Sequence, residues 1–298
     1  MRWLRKYVRR LELSKQHISV FGGTGFIGSR FCELYNNIIK ISRDEYTPTS
    51  NEILYFISTV DNYNIHSNLH TDINTNLTVL MNVLENINKN NPDVVINFVS
   101  SWFVYGQNSD IPFSEEHTQC KPTGFYSITK YSAEQLLICF CQTFNIKYRI
   151  FRLANVLGVG DTKISKKKNA LQFLIKEVVN NNNVQLYYNG EVLRDYIHVD
   201  DVCAAIQLCI DQAPYNEIIN IGSGEPTRLR NVIDETIALT NSKSIIKNME
   251  PTRFHNIVQV RHSYLDTAKL KSYGFKITRS MKSIVEELVN FYKEKTDA

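Results

Sequence analysis

Six short apolar runs punctuate the chain: HISVF (17–21), IIKIS (38–42), ILYFIS (53–58), VVINFVS (94–100), YRIFRL (148–153) and EIINIG (217–222). Each is rich in β-branched or aromatic residues and too short for a buried helix, so each predicts a strand. Between them the apolar positions recur at helical spacing, over about 72–89 and over 123–144, where LLICFCQTF is the most apolar stretch. Strands that alternate with helices predict a parallel sheet covered by helices. After Gly160 the pattern loosens into a lysine-rich loop, DTKISKKKN, followed by a helical ALQFLIKEVV that ends in four asparagines. The last 75 or so residues mix short strands and helices, as expected of a smaller domain.

With 298 residues, 43% of them hydrophobic and 21% charged, the chain has the balance of a globular protein of one large or two unequal domains. No apolar run approaches the ~18 residues of a membrane span. A net charge of +4 without a dense basic patch interleaved with aromatics gives no indication of a nucleic-acid partner. The six cysteines fall mostly inside apolar patterns, which reads as reduced thiols in a cytoplasmic protein. Residues 1–15 depart from the rest: Trp3, Leu4, Tyr7, Val8 and Leu11 alternate with five basic residues at helical spacing. This basic amphipathic helix packs either on the protein or a second subunit, the reading favoured here, or on an anionic membrane surface.

Chemistry enters with FGGTGFIG, where Gly22, Gly25 and Gly28 fall between the first strand and an apolar-periodic segment. A glycine-rich strand-to-helix turn lets backbone N–H groups approach a pyrophosphate, although such turns also arise for packing alone. Further on, FYSITKYSAEQLL sets Tyr126 and Lys130 four apart, on one face of a helix. Bringing a phenol from pKa ~10 to ~7 takes about 4 kcal/mol. An ammonium about 4 Å away at an effective dielectric near 20 supplies about that much. The pair is therefore a candidate acid/base, against the alternative of an ordinary surface pair. Ser101, at the end of VVINFVSS, falls at the carboxyl edge of the sheet, where ligands bind in such folds, and its hydroxyl suits a substrate oxygen. His66 and His70 have acceptable metal-ligand spacing with Asp72 but lack a fourth ligand, so no metal is expected. His198 reads as a structural hydrogen-bonding residue.

From His17 to the C-terminus the chain resembles the extended short-chain dehydrogenases/reductases of the NAD-dependent epimerase/dehydratase type, which act on nucleotide sugars. The resemblance rests on GGTGFIG, DINTNLTVL, SSWFVYG, YSITK with Glu134 following, FRLANVLGVGD, LRDYIHVDDV, NIGSG and LDTAKLKSYGF. It implies an α/β fold: a Rossmann doubly wound parallel sheet with a smaller C-terminal α/β substrate-binding domain. The implied boundaries are 16–165 for the cofactor domain, with 195–222 returning to it, and 166–194 with 223–298 for the substrate domain. By the same resemblance Ser101, Tyr126 and Lys130 form the catalytic set, and Gly22, Gly25, Phe26, Ile27, Gly28, Ser42, Arg43, Ser58, Asn74 and Lys130 hold the cofactor. Trp102, Asn155 and Arg194 are placed at the nucleotide sugar, with Arg253 assisting from a longer spacing than usual. Pairing of Arg194 with Asp195 or Asp200 is the alternative for that residue. The two long helices are expected to pair with their copies in a homodimer.

Three departures refine the expectation. Members that use NAD carry an acidic residue after the second strand; here Ser42 and Arg43 stand there, which favours NADP(H), with Asp44 leaving NAD open. Only some ten residues separate Ser42 from the next strand, so the usual third strand is missing and the sheet edge is shorter. Dehydratases carry an Asp-Glu pair directly after the catalytic hydroxyl, whereas this chain has Trp102 and Phe103, neither able to do acid/base work. What remains is a ketoreductase of a 4-keto, often 6-deoxy, nucleotide sugar, an epimerase with tightly held NAD, or a dinucleotide-binding scaffold without chemistry.

Overall fold

A computed structural model describes residues 17–296; the amphipathic segment 1–15 lies outside the described residues. All six apolar runs form strands of one parallel sheet: β1 (Ile18–Phe21), β2 (Ile38–Ile41), β3 (Glu52–Tyr55), β4 (Val95–Ser101), β5 (Lys147–Leu153) and β6 (Glu217–Ile221), in the order β6-β5-β4-β3-β1-β2. The strand order reverses direction at β1, whose neighbours are β2 and β3. In open α/β sheets such a reversal is where ligands bind, outside the carboxyl ends of the strands. The β2 strand is the edge, in line with the missing third strand.

Period-two alternation sends successive side chains to opposite faces. Ile18 and Val20 of β1, Leu54 of β3 and Phe151 of β5 enter one buried cluster, together with Phe31 of α1 (Phe26–Leu34). Phe21, Ile53, Tyr55 and Ile150 enter the other, against Leu80, Val83 and Leu84 of α2 (Val79–Glu85) and Ala133, Leu137 and Cys141 of α3 (Phe125–Phe144). The helix expected over 72–89 starts at Thr71 but is interrupted by a π-helical stretch, Asn74–Thr78. ALQFLIKEVV forms α4 (Ala170–Val179). The next helix, α5 (Val199–Gln212), returns to the sheet beside α1, and Val202, Ile206 and Cys209 join the first cluster. A third, separate cluster joins α4 to α6 (Leu229–Thr240) and α9 (Met281–Thr296), and includes Leu186 from the strand Val184–Tyr187. Two short helices, α7 (Arg253–Val258) and α8 (Ala268–Ser272), lie between α6 and α9. Cys139 and Cys141, two apart on α3, face exposed and buried surroundings respectively.

Candidate active site

At the glycine turn, Gly22 adopts φ +80°, the left-handed region that glycine tolerates without strain. A Cβ on Gly28 would fall 2.3 Å from the Gly22 carbonyl oxygen, so the turn and the first turn of α1 approach as only glycine permits. Gly25 caps α1 without a side-chain hydrogen bond, and no acidic residue occupies the first turn. The N–H groups of Phe26 and Ile27 thus begin a helix whose positive end is neither capped nor neutralised by a side chain, which fits a pyrophosphate. The residues present are those a dinucleotide requires.

At the end of β2, Ser42 and Arg43 are both exposed. The Glu45 carboxylate accepts from the Ser42 N–H at 3.3 Å and closes that turn. Ser58, beyond β3, donates to the Thr59 carbonyl (2.6 Å) and lies 3.1 Å from Asn76 Oδ1.

The phenol of Tyr126 is buried, with 7% of the residue exposed, on the first turn of α3. Burial pushes its pKa up; side-chain hydrogen bonds with Ser101 and Ser58 pull it back, and the Asp72 carboxylate adds to the rise. The Ser101 hydroxyl also accepts from the Phe103 N–H at 3.3 Å. Lys130 is 2% exposed, and its Nζ donates to the Val99 carbonyl at 2.6 Å while lying 4.2 Å over the Phe98 ring. Burial pulls its pKa down to about 7, opposed by Glu134 one helical turn further on. The sequence-based expectation of a phenol acidified by this ammonium is therefore not met in this geometry. The lysine is turned to a backbone carbonyl and burial lowers its own pKa, while burial raises that of the phenol.

Asn74 requires a correction. It is exposed on the π-helical stretch, whereas Asn76, two residues on, is buried. Its side-chain amide donates to Thr59 Oγ1 and Thr129 Oγ1, each at 2.9 Å, and its oxygen accepts from the Thr59 N–H at 2.8 Å. Thr59 in turn donates to Asp72, which also accepts from Asn64 at 3.0 Å. Two residues on a helix are about 200° apart, so only one asparagine of the N-T-N segment can face the site. Helical phase, displaced by the π turn, buries Asn76 and leaves Asn74 exposed.

On the opposite wall, Trp102, Asn155 and Asp195 line a tight crevice with Ser263, Tyr264 and Leu265. Asn155 donates from Nδ2 to the Asp195 carbonyl at 2.9 Å. The Arg194 guanidinium donates only to backbone carbonyls, those of Leu193 (2.8 Å), Arg261 (2.9 Å) and Val260 (2.5 Å), and lies 5.6 Å over the Trp102 ring. Neither pairing weighed for it forms. Asp195 turns its carboxylate to Ser223, Gly224 and Leu265, and Asp200 pairs with Arg30 at 2.6 Å. Burial pulls the Arg194 pKa down. Among the described residues it has no carboxylate partner, so its charge is not neutralised within the fold.

Arg253 is not brought to this wall. It is exposed on the first turn of α7, where Phe254 packs on Tyr63 and His66, and His255 packs on Tyr187 and meets the Tyr63 hydroxyl at 3.2 Å. His198 is structural, accepting from the Asp200 N–H and meeting Glu287 at 3.2 Å.

A model of the NAD-dependent epimerase/dehydratase family matches residues 51–222. The dTDP-4-dehydro-6-deoxyglucose reductase of Escherichia coli is 28% identical over 163 residues, 55% of this chain and 51% of that protein. Among solved structures, the UDP-glucose 4-epimerase of Thermotoga maritima with UDP-glucose superposes with TM-score 0.81 at 23% identity, over 94% of this chain and 99% of that one. RMD from Pseudomonas aeruginosa complexed with NADPH gives 0.80 at 16% identity, over 94% and 99%. The chain spans about half to two thirds of the length of the curated relatives it matches.

Proposed function

Because the chain belongs to the NAD-dependent epimerase/dehydratase family, we propose that it is a nucleotide-sugar oxidoreductase that reduces a 4-keto group, with NADPH as reductant and Tyr126 as proton donor. The observation that carries this reading is geometric: the buried Tyr126 side chain is hydrogen-bonded to the Ser101 hydroxyl, and the two residues directly after that serine, Trp102 and Phe103, can do no acid/base work, which disfavours dehydration. Epimerisation begins with oxidation of a hydroxyl and would need the same phenol as a base.

In this reading Arg194 and Asn155 hold the sugar nucleotide's diphosphate, and Ser101 donates to the keto oxygen. Tyr126 Oη delivers its proton to that oxygen as the carbonyl becomes an alcohol, and Ser58 steadies the phenolate left behind. When bound, the nicotinamide cofactor supplies the hydride for the carbonyl carbon. Gly22, Gly25, Phe26, Ile27 and Gly28 hold its pyrophosphate through backbone N–H groups, Lys130 its ribose, and Ser42 with Arg43 the 2′-phosphate. The exposed guanidinium of Arg43 supports the choice of NADPH. The substrate domain comprises 166–194 and 223–298. The exposed apolar residues Ile128, Leu136 and Phe144 of α3, with Leu69 and Ile73 before α2, support a homodimer through these helices, to be checked by sedimentation.

The test is turnover of 4-keto nucleotide sugars, in the uridine and thymidine series, by the purified chain. NADPH consumption in step with alcohol formation is expected, and NADPH should bind at least about tenfold tighter than NADH, about 1.4 kcal/mol. Turnover of a plain nucleotide sugar with no added reductant, by protein that purifies with NAD bound, would establish the epimerase instead. That second reading is supported by the Thermotoga likeness.

A further inference from the structure

Asp72 lies on the first turn of the helix that precedes α2 and is 1% exposed. Its carboxylate accepts from the Thr59 hydroxyl and from Asn64 Nδ2, the latter at 3.0 Å, so the loop that leaves β3 is folded onto it. Among the described residues no lysine or arginine stands within ion-pair distance of it. The other buried carboxylates are provided for. Glu52 and Glu134 meet Arg149 and Arg152, while Asp195 and Asp201 each accept from backbone N–H groups and a hydroxyl. Lys130, the buried ammonium of α3, donates to the Val99 carbonyl, and the carboxylate that favours its charge is Glu134.

The carboxylate is wired to the reacting end of the site. Thr59, which donates to it, also gives its N–H to Asn76 Oδ1 at 2.8 Å; that oxygen lies 3.1 Å from Ser58 Oγ, and Ser58 is hydrogen-bonded to the Tyr126 phenol. Asn76 reaches α3 as well, through Thr129 Oγ1 at 2.9 Å. The phenol feels the negative charge of Asp72.

We propose that Asp72 is the counter-charge for the nicotinamide end of the site, a carboxylate buried without a cation because the oxidised, positively charged ring of the bound cofactor supplies one. It acts through space, as a positioning residue, and not by contact. The inference rests on the reading of Tyr126 as proton donor and deepens it: proton and hydride go to the two ends of one carbonyl bond, so the ring that gives the hydride belongs beside the phenol. NADP+ and NADPH differ at that ring by one positive charge. A fixed carboxylate in a protein interior, where the effective dielectric is about 20 and not about 80, therefore favours the oxidised form selectively. A carboxylate that merely clasped the loop after β3 would favour neither.

The test reads binding and not turnover, so its outcome is separate from that of the turnover assay. Dissociation constants are measured on the full chain, for NADPH by fluorescence titration and for NADP+ by competition. Asp72→Asn, which keeps the shape and an acceptor oxygen, should weaken NADP+ about tenfold, about 1.4 kcal/mol, and NADPH less than about twofold. Asp72→Ser should give the same split, and takes its place if the asparagine variant does not fold. Thr59→Val removes a hydrogen bond and leaves the charge, so it should move both affinities by the same factor. Equal weakening of both forms by Asp72→Asn, or no change in either, overturns the proposal and assigns Asp72 to the folding of the loop. A Thr59→Val protein with the same tenfold split also overturns it, because the split would then report structure and not charge. If NADH binds more tightly than NADPH, the preference for NADPH fails, and the same ratio taken with NAD+ and NADH still decides this inference. A wild-type chain that binds none of the four dinucleotides removes the cofactor site and this proposal with it.

Discussion

The two sides of the crevice are built from different materials. Over β1 and α1 the site is backbone: a glycine at positive φ, a glycine whose missing Cβ lets two turns touch, and a helix end without a side-chain cap. Over β4 and α3, and across to Arg194, it is side chain: a buried phenol, a buried ammonium, an asparagine with several partners and a guanidinium held by three carbonyls. A backbone site depends on sterics and tolerates no added atom. A side-chain site depends on burial and charge, and its members can be changed one at a time with the fold retained. If this contrast is right, mutations on the two sides should fail differently.

The largest effect is expected from Tyr126→Phe, which removes one oxygen. Loss of the proton donor should lower kcat by about 10^3-fold, within the usual range for general acid catalysis. Cofactor affinity, measured by fluorescence titration, should stay within about twofold because the other side is untouched. Parallel loss of cofactor binding would dissolve the distinction. Gly28→Ala makes the opposite test. Its new methyl group would sit 2.3 Å from the Gly22 carbonyl oxygen, and overpacking against backbone costs about 3 kcal/mol. Urea unfolding should show that destabilisation, and cofactor binding should fall with it. Unchanged cofactor affinity in a stable protein would mean that the turn is only a packing device.

How far the chain could be read in advance follows the same division. The glycine turn was legible because a steric requirement allows one residue type, and the six strands were legible because parallel strands buried on both faces are written as continuous apolar runs. Tyr126, Ser101 and Arg194 were proposed from motif and strand-edge position, and the side chains of Tyr126 and Ser101 are hydrogen-bonded to each other. That Asn76 and not Asn74 is buried was not legible, because which of two asparagines points inward depends on the phase of a helix that a π turn displaces. The orientation of Lys130 was missed as well: spacing puts it on the face of Tyr126, but its ammonium turns to the Val99 carbonyl. Arg152 and Glu134 form a buried pair at 2.7 Å that no local pattern announces, since one lies on β5 and the other on α3.

That pair sharpens the view of Arg194. Arg152 is buried and Arg194 half-buried, but Arg152 meets a carboxylate and, among the described residues, Arg194 does not. A structural guanidinium has its counter-charge built in, whereas a ligand-binding one leaves it to the ligand. Arg194→Ala should therefore raise KM for the nucleotide sugar by about 30-fold, about 2 kcal/mol, with kcat changed less than about threefold. Arg194→Lys should recover only part of the loss, because a point charge does not grip two phosphate oxygens at once. An unchanged KM in the alanine variant would assign Arg194 to packing against Trp102.

Lys130 gives the smallest and most specific effect, and one that needs no substrate. Burial lowers its pKa in the folded chain to about 7, whereas an unfolded lysine titrates near its ordinary value of 10.5. Between those two values the unfolded chain binds the extra proton, so raising the pH stabilises the fold. Below about pH 7 the ammonium is charged in both states and the burial cost is fully felt. The free energy of unfolding of the wild type, minus that of Lys130→Met, should accordingly be flat below pH 7 and rise above it. The slope should reach up to about 1.4 kcal/mol per pH unit. Groups common to both proteins cancel in the difference. A difference that stays flat from pH 6 to 10 would mean that the lysine keeps its charge in the fold. The phenol one helical turn away would then feel a full ammonium, and the contrast between a side built of backbone and a side-chain side tuned by burial would have to be abandoned.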